Sequence, residues 1–154
     1  MNQQDLEAIA RTIVEANMYM VLGTADESGQ PWVSPVYFAS AEYTEFYWVS
    51  SPEARHSRNI AIRPQVSIVI FDSQAPIGTG QGVYVSAVAE ELTDIELERG
   101  IEIYSRTSLG HGGHAWKQDD VKLPAPYRLY RAAVSEHSIL DPGGHPDHRT
   151  PVTP

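Results

Sequence analysis

Apolar positions along the chain change period several times, and each change predicts an element. Leu6, Ile9, Ala10, Ile13 and Val14 recur at the i, i+3, i+4, i+7, i+8 spacing. Residues 1–17 therefore form an N-terminal amphipathic helix, which Asn17 can end. Met18–Ala25 is apolar and β-prone, Asp26-Glu27-Ser28-Gly29 is a turn, and Gln30–Ser40 resumes an extended pattern. Glu45–Ser50 completes a three-strand meander over residues 18–50. Ser51-Pro52-Glu53 has the marks of a helix start: a hydroxyl cap, a proline for the first position and an acid at the positive end. Pro64 keeps that helix short, because the residue before a proline is pushed out of the helical region. Gln65–Asp72 is almost continuously apolar, the pattern of a strand covered on both faces.

Beyond a loop at Ser73–Gln81, Gly82–Leu92 alternates as a long strand. Thr93-Asp94-Ile95-Glu96 matches a capping box and opens a helix to about Arg106. Ser108–Pro126 has little periodicity and predicts a long loop. Tyr127–Leu140 alternates as the last strand, and residues 141–154 form an irregular tail. Some six strands, few and short helices and no βαβ alternation point to a mainly β (α+β) protein. The expected architecture is one antiparallel barrel with helices at its edges, in a single domain over residues 1–154.

Composition narrows the chemistry. The chain has 154 residues, no cysteine and a formal charge of −9. A disulfide framework, a thiolate nucleophile, a cysteine zinc site and a cysteine-ligated cluster are excluded. Acidic surfaces repel phosphate backbones, so no nucleic-acid partner is expected. No apolar run reaches the roughly 18 residues of a membrane span. Met1–Asn17 lacks a basic, then apolar, leader, so a cytoplasmic protein is expected. His111-x-x-His114 and His145-x-x-His148 lie in Gly/Pro segments with no completing ligands; they read as free loop histidines, and no metal is assigned. His137 reads as a surface or interface residue.

The most informative stretch is Tyr47–Pro64, YWVSSPEARHSRNIAIRP, where a strand runs into a helix start. Ser50 and Ser51 offer hydroxyls and backbone donors where the helix dipole favours an anion. Arg55 and Arg58 are i, i+3 on one face, with His56 beside it, and guanidinium forks suit phosphate oxygens. A solvated basic helix face accounts for the same pattern equally well. Trp32 and Trp48 read as core or interface residues before cofactor-stacking ones.

The ordered set of strand, Gly-containing turn, Ser34-Pro35-Val36, Trp48-Val49-Ser50-Ser51, Ala54-Arg55-His56-Ser57-Arg58-Asn59-Ile60 and the strand from Arg63-Pro64-Gln65 resembles the pyridoxamine 5'-phosphate oxidase-like family of FMN-binding split β-barrels. The likeness continues through Gly80–Ala87, Ala89–Leu92 and Arg128–Arg131, so it spans about residues 5–140. It implies a six-stranded antiparallel split barrel with short flanking helices. It also implies an FMN phosphate held by Arg55 and His56, with Ser50 and Ser51 just before them. The flavin ring would lie against backbone at Val33, Ser34, Pro35, Val36 and Trp48, Val49, Ser50. Gln81 matches a glutamine that reaches over from the partner chain of a homodimer. His56 stands where the family often has lysine, which makes that contact pH-sensitive.

Phe38 occupies the place of the oxidases' substrate-binding lysine. His145-Pro-Asp-His148-Arg149 replaces their C-terminal Arg-x-His. Tyr104, Arg106 and Ser108 resemble the Tyr/Arg/Ser substrate-phosphate set only with a gap. The expectation is therefore an FMN-dependent oxidoreductase of unknown substrate, accepting electrons from NADH or NADPH, with no catalytic side chain assigned. The alternatives are a deazaflavin (F420)-dependent reductase and a non-catalytic flavin or haem carrier or sensor.

Overall fold

A computed structural model describes all residues 1–154. Helix α1 spans Gln3–Ala16 and starts on a reciprocal capping box between Asn2 and Asp5. Strand β1 (Tyr19–Ala25) pairs antiparallel with β2 (Pro31–Tyr37), and the Asp26 carboxylate closes their turn by accepting from the Ser28 and Gln30 amides. The predicted meander breaks here. A short strand β3 (Ala39–Ala41) pairs with β4 (Glu45–Ser50), not with β2. The loop is three residues, and Glu42 and Tyr43 both have positive φ (52° and 60°), the left-handed pair at the centre of the tight turn that the Thr44 amide closes by donating to the Ala41 carbonyl oxygen.

Helix α2 (Arg55–Ile62) leads into β5 (Gln65–Phe71), β6 (Gly82–Glu91), α3 (Asp94–Gly110), a short 3-10 turn at Gln118–Val121, β7 (Arg128–Leu140) and β8 (Arg149–Val152). Several sequence boundaries move. Helix α3 runs a full turn past Arg106, so His111 caps a helix rather than floating in a loop. The tail is not wholly irregular, because β8 pairs with the end of β7. Strand β5 is covered on one face only: Val66, Ile68 and Ile70 are buried while Gln65, Ser67 and Phe71 are exposed. The strand covered on both faces is β4. Its Phe46 and Trp48 point into the barrel, and Tyr47 points outward under α3, beside Leu97, Ile101 and Tyr104.

The strand order is β2-β1-β5-β6-β7-β4-β3, with β8 added to β7. That order puts β2 and β3 at opposite ends of one sheet, yet only Phe38 separates them in the chain. The sheet must therefore curl until its two ends meet, and the barrel stays split along the seam where β2 and the β3–β4 edge face each other without a ladder. Phe38 is the corner. It is buried and packs on Phe46 at 5.7 Å. The antiparallel split barrel expected from the sequence is thus present, with eight strands rather than six, the additions being short β3 and β8.

The barrel interior is filled by Met20, Leu22, Val36, Ile68, Ile70, Val83, Val85 and Ile139, with α1 closing one side through Ala10 and Val14. Dense filling of this kind leaves no interior room for a large ligand. His137 is also buried, 7% exposed, with Nε2 2.6 Å from the Tyr43 carbonyl oxygen; it ties β7 to the β3–β4 turn rather than lying at the surface. No helix is long and apolar enough to cross a membrane.

Candidate cofactor-binding site

Helix α2 sits at one end of the seam. Asn59 anchors it to β1 by donating to Thr24 Oγ1 at 3.0 Å, and Arg63 donates to the Glu27 carbonyl oxygen at 3.0 Å. Its start differs from the sequence reading. The helix begins at Arg55, three residues after Pro52, and Ala54 at the cap position supplies no side-chain hydrogen bond. Ser51 Oγ instead accepts from the Glu53 amide at 3.1 Å within the preceding turn. The first amides of the helix, at Arg55, His56 and Ser57, therefore keep their hydrogens free of any protein acceptor. A helix start with free amides and no cap is a site of local positive potential.

His56 leaves the first turn and crosses the seam. Its Nδ1 is 3.2 Å from Ser34 Oγ on β2 and its Nε2 is 2.8 Å from Ser50 Oγ on β4. Burial pushes the imidazole pKa below its ordinary value, so the ring is neutral at neutral pH. With both nitrogens engaged, His56 positions the two serine hydroxyls; in this geometry it is not the free phosphate donor that the family likeness implies. Arg55 makes no ion pair. Its guanidinium carbon lies 4.2 Å over the Trp32 ring, and Trp32 is 42% exposed. Trp32 and Arg55, with Arg58 and Gln30, line a cavity of about 410 Å³ beside the helix start.

The remaining sequence candidates fall into two groups. Val33, Ser34, Pro35 and Val36 lie along the outer edge of β2; Val33 is exposed and Val36 buried. Trp48, Val49 and Ser50 run past the end of β3, whose last partners on β4 are Glu45–Tyr47. Both stretches therefore present strand edges to the seam. The Trp48 side chain does not take part: it is fully buried and stacked on Tyr130 at 5.8 Å. Gln81 is not near this cluster in its own chain. It precedes β6, at the end of the sheet opposite Val33 and Gly23, and its amide is paired with the Leu140 backbone through bonds of 2.8 and 2.9 Å.

Two residues implicated through the substrate of the oxidases are also relocated. Phe38 is core, where a lysine would be buried. Arg106 is 72% exposed and pairs with Glu102, so it does not join Tyr104 and Ser108. The sequence reading missed the partners that Tyr37 and His111 find. Tyr37 Oη is 2.5 Å from His111 Nδ1 across 74 positions of chain, a separation that no local pattern signals.

The fold and the seam together define a split β-barrel whose open edge carries free helix amides, an arginine and serine hydroxyls. The family model described as pyridoxamine 5'-phosphate oxidase matches residues 6–138, and the chain belongs to that family. No curated protein matches it. Among solved structures, the haem-binding protein of Mycobacterium smegmatis is 21% identical with a TM-score of 0.74, covering 99% of this chain and 59% of its own. This chain thus spans little more than half of that protein. A FAD-binding protein of Mesorhizobium loti is 21% identical (TM-score 0.60, 84% of this chain and 87% of its own). A protein named F420 reductase is 17% identical (TM-score 0.62, 84% and 95%). At these identities the likeness establishes the fold, and the same fold carries three different cofactor names.

Proposed function

We propose that the protein binds FMN at the seam and works as an oxidoreductase in the cytoplasm, acting on a small molecule. The observation that carries this reading is the uncapped start of α2, whose free amides share the first turn with Arg55 and follow the turn that holds the Ser51 hydroxyl. Those groups suit a phosphate dianion and have no protein acceptor of their own. A riboflavin-type head without phosphate would leave them unused, and the single phosphate of FMN matches one helix start. The β2 and β4 edges at residues 33–36 and 48–50 offer backbone groups to the ring, and Ser34 and Ser50 are held in place by His56. Bound FMN would supply reversible electron acceptance. The chain's own residues bind and orient it, and the packed barrel keeps it at the seam surface.

A ring lying on a surface seam is shielded from water most simply by a second copy of this chain. We therefore read the protein as a homodimer, with the Gln81 end of one protomer near the partner's seam. Reduction by NADH or NADPH belongs to the same reading. The F420-reductase alternative needs basic residues for a longer anionic tail, and the cavity beside α2 offers Arg55 and Arg58 against Asp26 and Glu27. A haem carrier would need an iron ligand at the seam, and His56 has both ring nitrogens occupied.

The test is an absorption spectrum of the purified protein with mass analysis of the released ligand, followed by titration with FMN and riboflavin. The expected result is a flavin spectrum and clearly tighter binding of FMN. Equal affinity for the two removes the phosphate site. Light scattering of the FMN-loaded protein should give twice 17.1 kDa; a monomer that retains its flavin rejects the shared site.

A further inference from the structure

The other end of β2 carries a second cavity that the cofactor reading does not use. It is about 290 Å³ and its walls are Tyr19, Tyr37, Tyr104, His111, His114 and Trp116. Tyr37 is the hub. Its ring meets Tyr19 at 6.0 Å and 73°, Tyr104 at 5.8 Å and 82°, and His111 at 5.7 Å and 85°. Trp116 closes the far side, edge-on to Tyr104 at 5.6 Å and with His114 tilted over it at 4.5 Å. The 108–114 segment is pinned behind it, since Ser108 Oγ donates to the His114 carbonyl oxygen at 2.9 Å.

We propose that this pocket is the substrate subsite of the seam, and that it takes an uncharged planar aromatic compound bearing a ring carbonyl, with the Tyr37 hydroxyl as its hydrogen-bond donor. The proposal rests on the flavin reading for its redox context, and on the pocket alone for its ligand class. Three observations lead to it. No Lys, Arg, Asp or Glu lines the cavity, and Arg106 is turned away to Glu102. A phosphate or carboxylate placed here would lose its water and meet no permanently charged side chain. The polar groups present are phenols and imidazoles in a wall of rings, which match aromatic faces and edges and offer single hydrogen bonds. Burial raises the phenol of Tyr37 and takes that of Tyr104 up to about 12, so both stay protonated. With His111 as the tautomer that donates its Nδ1–H to Tyr37 Oη at 2.5 Å, the Tyr37 hydroxyl hydrogen is left for the ligand.

Position supplies the third observation. Tyr37 ends the same strand that carries Ser34, and Tyr104 lies against the Val49 backbone, next to Ser50. The pocket therefore adjoins both strand edges of the seam. Its volume is at the small end of the roughly 300–1,000 Å³ range of ligand sites, which limits the occupant to one or two rings.

1,4-Naphthoquinone is the probe. The chain has no cysteine, so the quinone meets no thiol to alkylate. Binding to the FMN-loaded protein is followed at high salt by quenching of tryptophan fluorescence, with Trp116→Phe assigning the signal. Naphthoquinone should bind at least about ten-fold tighter than its 2-sulfonate or pyridoxal 5'-phosphate, because those anions find no permanent counter-charge. Tyr37→Phe, which keeps the ring, should weaken quinone binding about five-fold, the value of one neutral hydrogen bond. A phosphate ester that binds as tightly as the quinone overturns the proposal. So does quinone affinity indifferent to Tyr37→Phe and His111→Ala while FMN is bound. Flavin content is read from absorbance in the same samples. If no FMN is present yet the quinone still binds through Tyr37, the cofactor reading fails while the ligand class of the pocket stands.

Discussion

The two ends of β2 are built on opposite physical principles. At the His56 end, polar groups outnumber their partners: three helix amides are free, Arg55 has only an aromatic face beneath it, and two serines are held by one imidazole. At the Tyr37 end, rings close on rings, a phenol–imidazole bond joins Tyr37 to His111, and no Lys, Arg, Asp or Glu lines the cavity. In a chain of net charge −9, the first region presents an unpaired arginine and free amides, while the second presents no Lys, Arg, Asp or Glu. One seam can in this way separate the recognition of an anionic group from that of a neutral ring.

The most severe way to break the comparison is to remove what both ends share. Trp48 is fully exposed to neither region; it fills the barrel behind β4 and stacks on Tyr130. Trp48→Ala should cost about 3–5 kcal/mol of stability through the cavity it leaves. Urea unfolding followed by circular dichroism checks this, and both regions should lose ligand binding together.

Arg55→Ala acts on one end only. Charge-assisted hydrogen bonds contribute roughly 1.5–3 kcal/mol, so FMN should bind more than about ten-fold more weakly while riboflavin affinity stays the same. The urea midpoint should not move, because Arg55 is exposed. An unchanged FMN dissociation constant would locate the phosphate elsewhere.

The pH dependence of stability should separate the ends further, because they fail at opposite limits. Burial holds His56, and likewise His137, below the ordinary 6.5. The unfolded chain then binds more protons than the folded one as pH falls below that value. This stability is complete above about pH 6.5 and is lost as pH falls toward the depressed folded values. Tyr104 is raised from 10.0 to about 12, so its contribution is complete below pH 10 and is lost as pH rises through 12. His56→Gln should flatten part of the acid limb and leave the alkaline one; Tyr104→Phe should do the reverse. Urea midpoints measured across pH decide it, and a His56→Gln variant with an unaltered acid limb would remove His56 from this account.

The smallest effect belongs to Trp32. An exposed cation–π contact contributes about 0.5–1 kcal/mol. Trp32→Leu should therefore weaken FMN binding only about two- to five-fold, by loosening Arg55, with no measurable change in unfolding. A ten-fold loss would mean that Trp32 itself touches the flavin.

How much of this was legible in the residue order differs between the two ends. Ser50, Ser51, Arg55 and His56 fall within seven consecutive residues, so a strand running into a helix start could be read as one local unit. The interval Leu6–Val14 and the alternation of Gly82–Glu91 likewise announce a helix and a strand, because side-chain period is a property of neighbours in the chain. What that order did not disclose is who pairs with whom. Nothing local joins Ser34 to His56, Tyr37 to His111, or β3 to β4 instead of β2. Strand partners are chosen by burial over the whole sheet, since a one-residue slip would turn each buried face outward.

The chain by itself determined the helices, most strands, the absence of thiol chemistry and the basic start of α2. The closed curl at Phe38, the second covered face of β4, the engagement of both His56 nitrogens and the aromatic pocket were decided by tertiary structure. Each depends on contacts between segments far apart in sequence. Such contacts form only when the sheet bends far enough to bring its first and last strands together.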